Sequence, residues 1–129
     1  MRKLLFVLFT MLLAISEVKG QSQAGQAVRD SMQVYELYPT ENMWTFIKLD
    51  TSSGQLWQVH FAINDDSSRK EEILSLTRLA IGNEAKAGRF CLYTTKNMYN
   101  FILLDRKEGK TWQVQWSFDY MNRGILPIN

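Results

Sequence analysis

The chain has one cysteine, one histidine, two prolines and no long apolar run beyond residue 15. A single cysteine excludes an internal disulfide and any cysteine-based zinc cage. A single histidine, with no carboxylate or nucleophile at a recognisable spacing, offers no catalytic triad. There is no glycine-rich phosphate loop and no nucleophile-elbow motif. Of the two prolines, Pro39 lies before the first long apolar segment and Pro127 within the short terminal "ILPI", so neither interrupts "MWTFIKLD" or "MYNFILLD". The only apolar run of any length, residues 4–15, is short of the roughly 20 residues that span a bilayer as a helix.

That run follows Arg2 and Lys3 and precedes small and polar residues, the order of a secretory signal peptide. Residues 1–20 are read as the signal, with cleavage before Gln21 or before Gly25. Localisation is then exported, periplasmic or extracellular, and the processed chain is not membrane-spanning. Without residues 1–20 the chain holds 12 basic and 12 acidic residues, so the formal excess belongs to the signal. A neutral chain lacks the electrostatic footprint of a nucleic-acid binder. The neutrality hides an asymmetry: residues 31–66 carry net −4 and residues 67–129 carry net +4. Opposed halves favour docking of the two halves, or head-to-tail stacking of neighbouring molecules, and a homo-oligomer stays open.

What the chain does contain is a repeat. Laid without a gap on residues 92–116, residues 37–61 match at 13 of 25 positions. "LYPTENMWTFIKLDTSSGQLWQV" and "LYTTKNMYNFILLDRKEGKTWQV" are copies of one supersecondary unit. Their segments "MWTFIKLD" and "MYNFILLD" are rich in β-branched and aromatic residues. "LWQVHF" and "TWQVQW" alternate with period two, with Trp57, Val59 and Phe61 on one side and Gln58 and His60 on the other. Asp50 and Gly54, and again Asp105 and Gly109, bracket loops whose central residues differ completely. These four are read as turn-structural residues: the carboxylate accepts from turn amides and the glycine takes a positive φ. "VYELY" and "RFCLY" supply a preceding strand, and "ILPI" a following one. Ser68 to Glu71 looks like a helix capping box, but its counterpart contains Pro127, so residues 73–77 are expected to be a strand and Pro127 to lie at an edge.

The expected fold is all-β: two tandem antiparallel meanders of three to four strands, packed as one sandwich or small barrel. Repeat one covers about residues 33–77, the connector 78–88 and repeat two 89–128, within a single domain spanning 21–129. Neither meander shelters its apolar face alone; each buries that face on the other.

Across residues 35–128 the chain resembles a family of small exported bacterial proteins of uncharacterised function. Their mark is a duplicated "LYPTxNMWxFLLLDTxxGxxWQVQW"-like unit followed by a short "R-x-x-x-P-I" strand. Here Leu37 to Thr40 with Asn42 to Trp44, Trp112 to Trp116, Arg123, Pro127 and Ile128 carry the likeness. Thr94, where the pattern has proline, departs from it, as does the "DDSSRKEE" segment. The resemblance implies a β-rich exported protein and brings no catalytic residue.

Among single residues, His60 has Gln115 as its mate and is expected at the surface. Cys91 has Glu36 as its mate and is expected at a rim, where intermolecular pairing is more plausible than nucleophilic chemistry. Asn64 to Asp66, with Asp119 as the mate of Asn64, lack calcium-loop spacing, and no cofactor or metal is expected. The aromatic positions repeated in both copies, Tyr38 with Tyr93 and Trp44 with Tyr99, joined by Asn42 and Asn97, form the candidate binding set. The reading is a non-catalytic binding module for protein or glycan, with a self-assembling structural component as the alternative and a small hydrolase third.

Overall fold

The computed structural model describes residues 33–129, so the signal segment lies outside the described residues. The chain folds into eight strands: β1 (Tyr35–Pro39), β2 (Thr45–Asp50), β3 (Leu56–His60), β4 (Lys70–Ser75), β5 (Phe90–Thr94), β6 (Asn100–Asp105), β7 (Thr111–Gln115) and β8 (Gly124–Ile128). They form two four-stranded antiparallel meanders, β1-β2-β3-β4 and β5-β6-β7-β8, with no closed barrel. Residues 70–75 are strand rather than helix. Their pairing with β3 satisfies the backbone, and the helix-like signal at Ser68 belongs instead to a 3-10 turn, Asp66–Ser68, capped by Asp65. Pro127 lies on β8, an edge strand, where its missing N–H costs no ladder bond.

The register repeats with the sequence. Leu37 pairs with Lys48 and Leu92 with Leu103, 55 residues on. At the corner before the fourth strand the second copy is one residue shorter. Gln58 faces Glu72 while Gln113 faces Leu126. Asp65 and Asp119 each cap a 3-10 turn, accepting from the backbone N–H two residues on. Asp119 is therefore the structural counterpart of Asp65, not of Asn64, and Arg123 that of Arg69.

Both hairpin turns are built alike. Asp50 accepts from the N–H groups of Ser52 (2.9 Å) and Ser53 (3.1 Å), and Asp105 from those of Lys107 (2.9 Å) and Glu108 (3.3 Å). Gly54 and Gly109 take φ of +82° and +74°, a region that a Cβ disfavours.

The two sheets do not bury the same face. In the first, Ile47, Leu49 and Leu56 are interior, while Phe46, Trp57 and Val59 look outward. In the second, Phe101, Leu103 and Val114 are interior, while Ile102, Leu104 and Gln113 lie on the far side, half covered. Matching residues thus face opposite ways, and the sheets stack front on back instead of front on front. The positions at which the copies differ account for this. Lys48 on the outward side of the first sheet becomes Leu103 in the interior of the second, and Glu71 becomes Ile125. Leu56, fully buried, becomes the half-covered Thr111. Asp50 has Ser52 for company. Asp105 is almost fully buried and is held by Arg89 through two bonds, Nε to Oδ1 at 3.0 Å and Nη2 to Oδ2 at 2.8 Å. The counterpart of Arg89 is Val34. Asp50 is buried as well, at 8% exposure, but is satisfied by hydroxyl and amide donors from Ser52 and Ser53 alone, whereas the more deeply buried Asp105 has the added Arg89 pair that a carboxylate facing the interior needs.

The shared interior joins Ile47, Leu49, Leu56 and Leu74 to Phe90, Leu92, Phe101, Leu103, Val114 and Trp116. Each such side chain contributes on the order of 1.5–3 kcal/mol by leaving water. The connector is pinned to the first hairpin: Leu79 N–H donates to the Ser53 carbonyl at 2.7 Å and Gly88 N–H to the Thr51 hydroxyl at 3.0 Å, and Phe90 N–H at the start of β5 donates to the Thr51 carbonyl at 2.8 Å.

Candidate functional site

The repeated Thr-x-Asn-Met stretch forms a turn before β2 and again before β6. The Thr40 hydroxyl donates to the Thr45 carbonyl (2.8 Å) and accepts from Asn42 N–H (3.1 Å). Asn42 Oδ1 then accepts from Trp44 N–H at 2.9 Å. Thr95, Asn97 and Tyr99 make the same set, with 2.9 Å for the last bond. Asn42 and Asn97 therefore spend their amide oxygens on the chain itself, as local side-chain bonds of this kind do in turns.

The candidate aromatic residues do not form one surface. Tyr38 sits in the seam between the sheets, against the core, and its hydroxyl donates to Glu36. Burial, reinforced by the Glu36 carboxylate, holds its phenol well above the ordinary pKa. Tyr93, its mate, is half exposed on the outer side of the second sheet. Trp44 packs edge-on against Phe61 at 5.1 Å, and Tyr99 packs against Trp116 at 5.1 Å. Trp44 and Tyr99 are both partly exposed, but each lies at the end of its own sheet.

His60 is buried, contrary to the surface position expected for it. It belongs to a polar seam between the sheets. Nδ1 lies 3.0 Å from the Thr45 hydroxyl and Nε2 2.9 Å from Gln58 Nε2. Nε2 also lies 3.4 Å from the Glu72 carboxylate, so the Gln58 amide and Glu72 both face it. Burial lowers the pKa of His60, outweighing the attraction of Glu72. Gln58 is fully buried and clasps the second sheet: its Nε2 donates to the Ser117 carbonyl at 2.9 Å, and its Oε1 accepts from Ser117 N–H at 3.3 Å. Arg123 reaches Glu72 at 3.1 Å across the same boundary.

The outward face of β1–β4 is the largest feature that pattern reading did not locate. Tyr35 (58% exposed), Leu37 (59%) and Ile73 (54%) surround the half-covered Phe46, Trp57 and Val59. Cross-strand pairing places Phe46 beside Val59 and Trp57 beside Ile73. Lys48 lies 4.8 Å over the Trp57 ring and pairs with Glu71, so its stem covers apolar surface while its charge is neutralised. A contiguous apolar sheet face of this kind is a mark of an interaction site.

At the end of this face Trp44, Phe61 and Phe118 wall a groove of about 560 Å³, with Asn42, Ser67 and Lys70 at its polar margin. His60 stacks on Phe118 at 5.4 Å between ring centres. Phe118 lies beyond the aligned repeat and carried no periodic signal.

Cys91 is buried rather than at a rim, and Arg106 Nε lies 3.2 Å from its sulfur. Its burial leaves it poorly placed for pairing with another chain. The Asp65 carboxylate is occupied by Ser67 N–H (3.0 Å) and by the hydroxyls of Ser67 (2.6 Å) and Ser68 (2.5 Å). Among the described residues no group of three or more His, Cys, Asp or Glu is placed to share a metal ion, and no helix is long and apolar enough to cross a membrane.

No family model matches the chain, and no curated protein or solved structure shows significant similarity to it.

Proposed function

We propose that the chain is an exported, non-catalytic interaction module of the cell envelope that recognises protein through the outward face of β1–β4. The observation that carries this reading is the apolar face centred on Trp57, Val59 and Phe46, flanked by Tyr35, Leu37 and Ile73, which no element among the described residues packs over. Aromatic anchors surrounded by aliphatic side chains are the composition of protein-binding hot spots. The signal-like N-terminus and the resemblance to small exported proteins support the compartment. Capture from envelope extract with the purified chain and with Val59→Glu tests the reading. Partners held by the parent chain should be lost with the variant, which keeps its fold by far-UV circular dichroism. Equal capture by both would contradict the proposal.

A second reading concerns glycan. Trp44, Phe61 and Phe118 offer ring faces beside Asn42, Ser67 and Lys70, a combination that suits a sugar ring. Binding to a glycan array that survives Val59→Glu and is lost in Phe118→Ala would favour it.

A further inference from the structure

We infer that the protein recognised by the outward face of β1–β4 is a second copy of this chain, stacked on the outer side of its β5–β8 sheet. The inference rests on reading that face as the recognition surface.

The interior of the molecule is itself a front-on-back contact between two copies of one unit. The outward face of the first sheet carries Phe46, Trp57 and Val59. Their counterparts Phe101, Trp112 and Val114 form the inward face of the second. Conversely, Ile102, Leu104 and Gln113 lie on the outer side of the second sheet. Their counterparts Ile47, Leu49 and Gln58 form the inward face of the first. Each end of the molecule therefore presents the partner that the other end requires. A unit that stacks front on back leaves one front and one back unsatisfied however many units are joined, unless the stack closes on itself.

The polar part of the internal contact can be repeated too. Gln58 grips the second sheet only through the backbone N–H and C=O of Ser117. The counterpart of Ser117 is Ala62, whose carbonyl already accepts from Arg69 Nη1 at 3.3 Å and keeps one lone pair; Gln113, on the outer side of β7, spends one amide hydrogen on Asn100 Oδ1 at 2.8 Å and keeps the other and its Oε1. Charge runs the same way: the first sheet with its loops, residues 33–75, carries net −4, and the connector with the second sheet, residues 76–129, carries net +4. The copy is imperfect, because Lys48 and Glu71 occupy the places of Leu103 and Ile125. The contact between molecules is accordingly weaker than the one within them, and reversible. Four-stranded meanders stacked this way close as rings of about four to eight sheets, which corresponds to about two to four chains.

Sedimentation velocity over a concentration series tests the inference, using the parent chain, Val59→Glu, Ile102→Glu and an equal mixture of the two variants. The parent should sediment as two or more copies, and each variant alone as a monomer. The mixture should give a 1:1 dimer, because each variant keeps the face that the other lacks; the same dimer also shows that both variants are folded. A parent monomeric at every concentration would overturn the inference. So would a dimer that survives Ile102→Glu, since that contact would be first face on first face. If the parent is monomeric, a fluorescent apolar dye separates the cases. Dye bound by the parent and lost with Val59→Glu keeps the recognition face and rejects the second copy as its occupant. No dye binding rejects both.

Discussion

His60 shows how a residue's surroundings reverse its sequence reading. Its mate Gln115 is partly exposed, and period-two alternation put both on the polar side of their strands. The polar side of β3 is nevertheless the buried one, because Gln58 and His60 satisfy each other and Ser117 across the seam. Burial lowers the His60 pKa, so the unfolded chain takes up this proton first as pH falls. Stability linked to His60 is complete above its unfolded value of about 6.5 and is lost progressively as pH drops below that toward the folded value. Thermal unfolding between pH 7.5 and 5 should show the melting temperature fall with pH in the parent chain. His60→Gln, which introduces the residue of the second copy, should flatten that slope. An unchanged slope in the variant would assign the titration elsewhere. Protonation of Glu72 and Asp105, whose pKa values are held down chiefly by bonds from Lys70 and Arg89 respectively, adds a separate loss at more acid pH.

At the scale of the element, the hairpins were legible because their geometry is written in two residues each, and both copies keep them. Which way a sheet faces was not legible in those shared residues, since a motif repeated in both copies cannot say which copy turns which side inward. The information lies at the differences, Lys48 against Leu103, Leu56 against Thr111 and Val34 against Arg89, positions that comparison of identities passes over. The corner before the fourth strand was misaligned for a related reason. A one-residue deletion there breaks the gapless match, and only the two capping carboxylates, Asp65 and Asp119, restore it. The turns also differ in what rests on them. Alanine at Gly109 meets no atom within 4 Å and suffers only its positive φ, whereas at Gly54 its Cβ would stand 2.9 Å from Leu79 Cδ1 of the connector. Gly109→Ala should therefore cost about 1–2 kcal/mol in urea unfolding, and Gly54→Ala measurably more. Equal costs would mean that the connector does not press on the first hairpin.

On the scale of the whole molecule, the duplication predicts an all-β protein whose halves share an interior, and the structure has that form. The mode of stacking sets the function proposed here. Front-on-front packing would have consumed both apolar faces, whereas front-on-back packing leaves one at each end. The binding set drawn from repeated aromatics and asparagines was dispersed by the fold. Identity between copies at Asn42 and Asn97 reports a turn, and Tyr38 ends in the seam between the sheets while Tyr93 ends on the outer side of the second. The most direct test is a crossed pair of truncations read by urea unfolding. Leu49→Ala and Phe101→Ala remove fully interior side chains and should cost about 2–5 kcal/mol each. Their mates, Leu104→Ala and Phe46→Ala, should each cost less than half as much in the monomer. Equal losses within each pair of mates, or the larger loss at Phe46 and Leu104, would contradict the front-on-back arrangement.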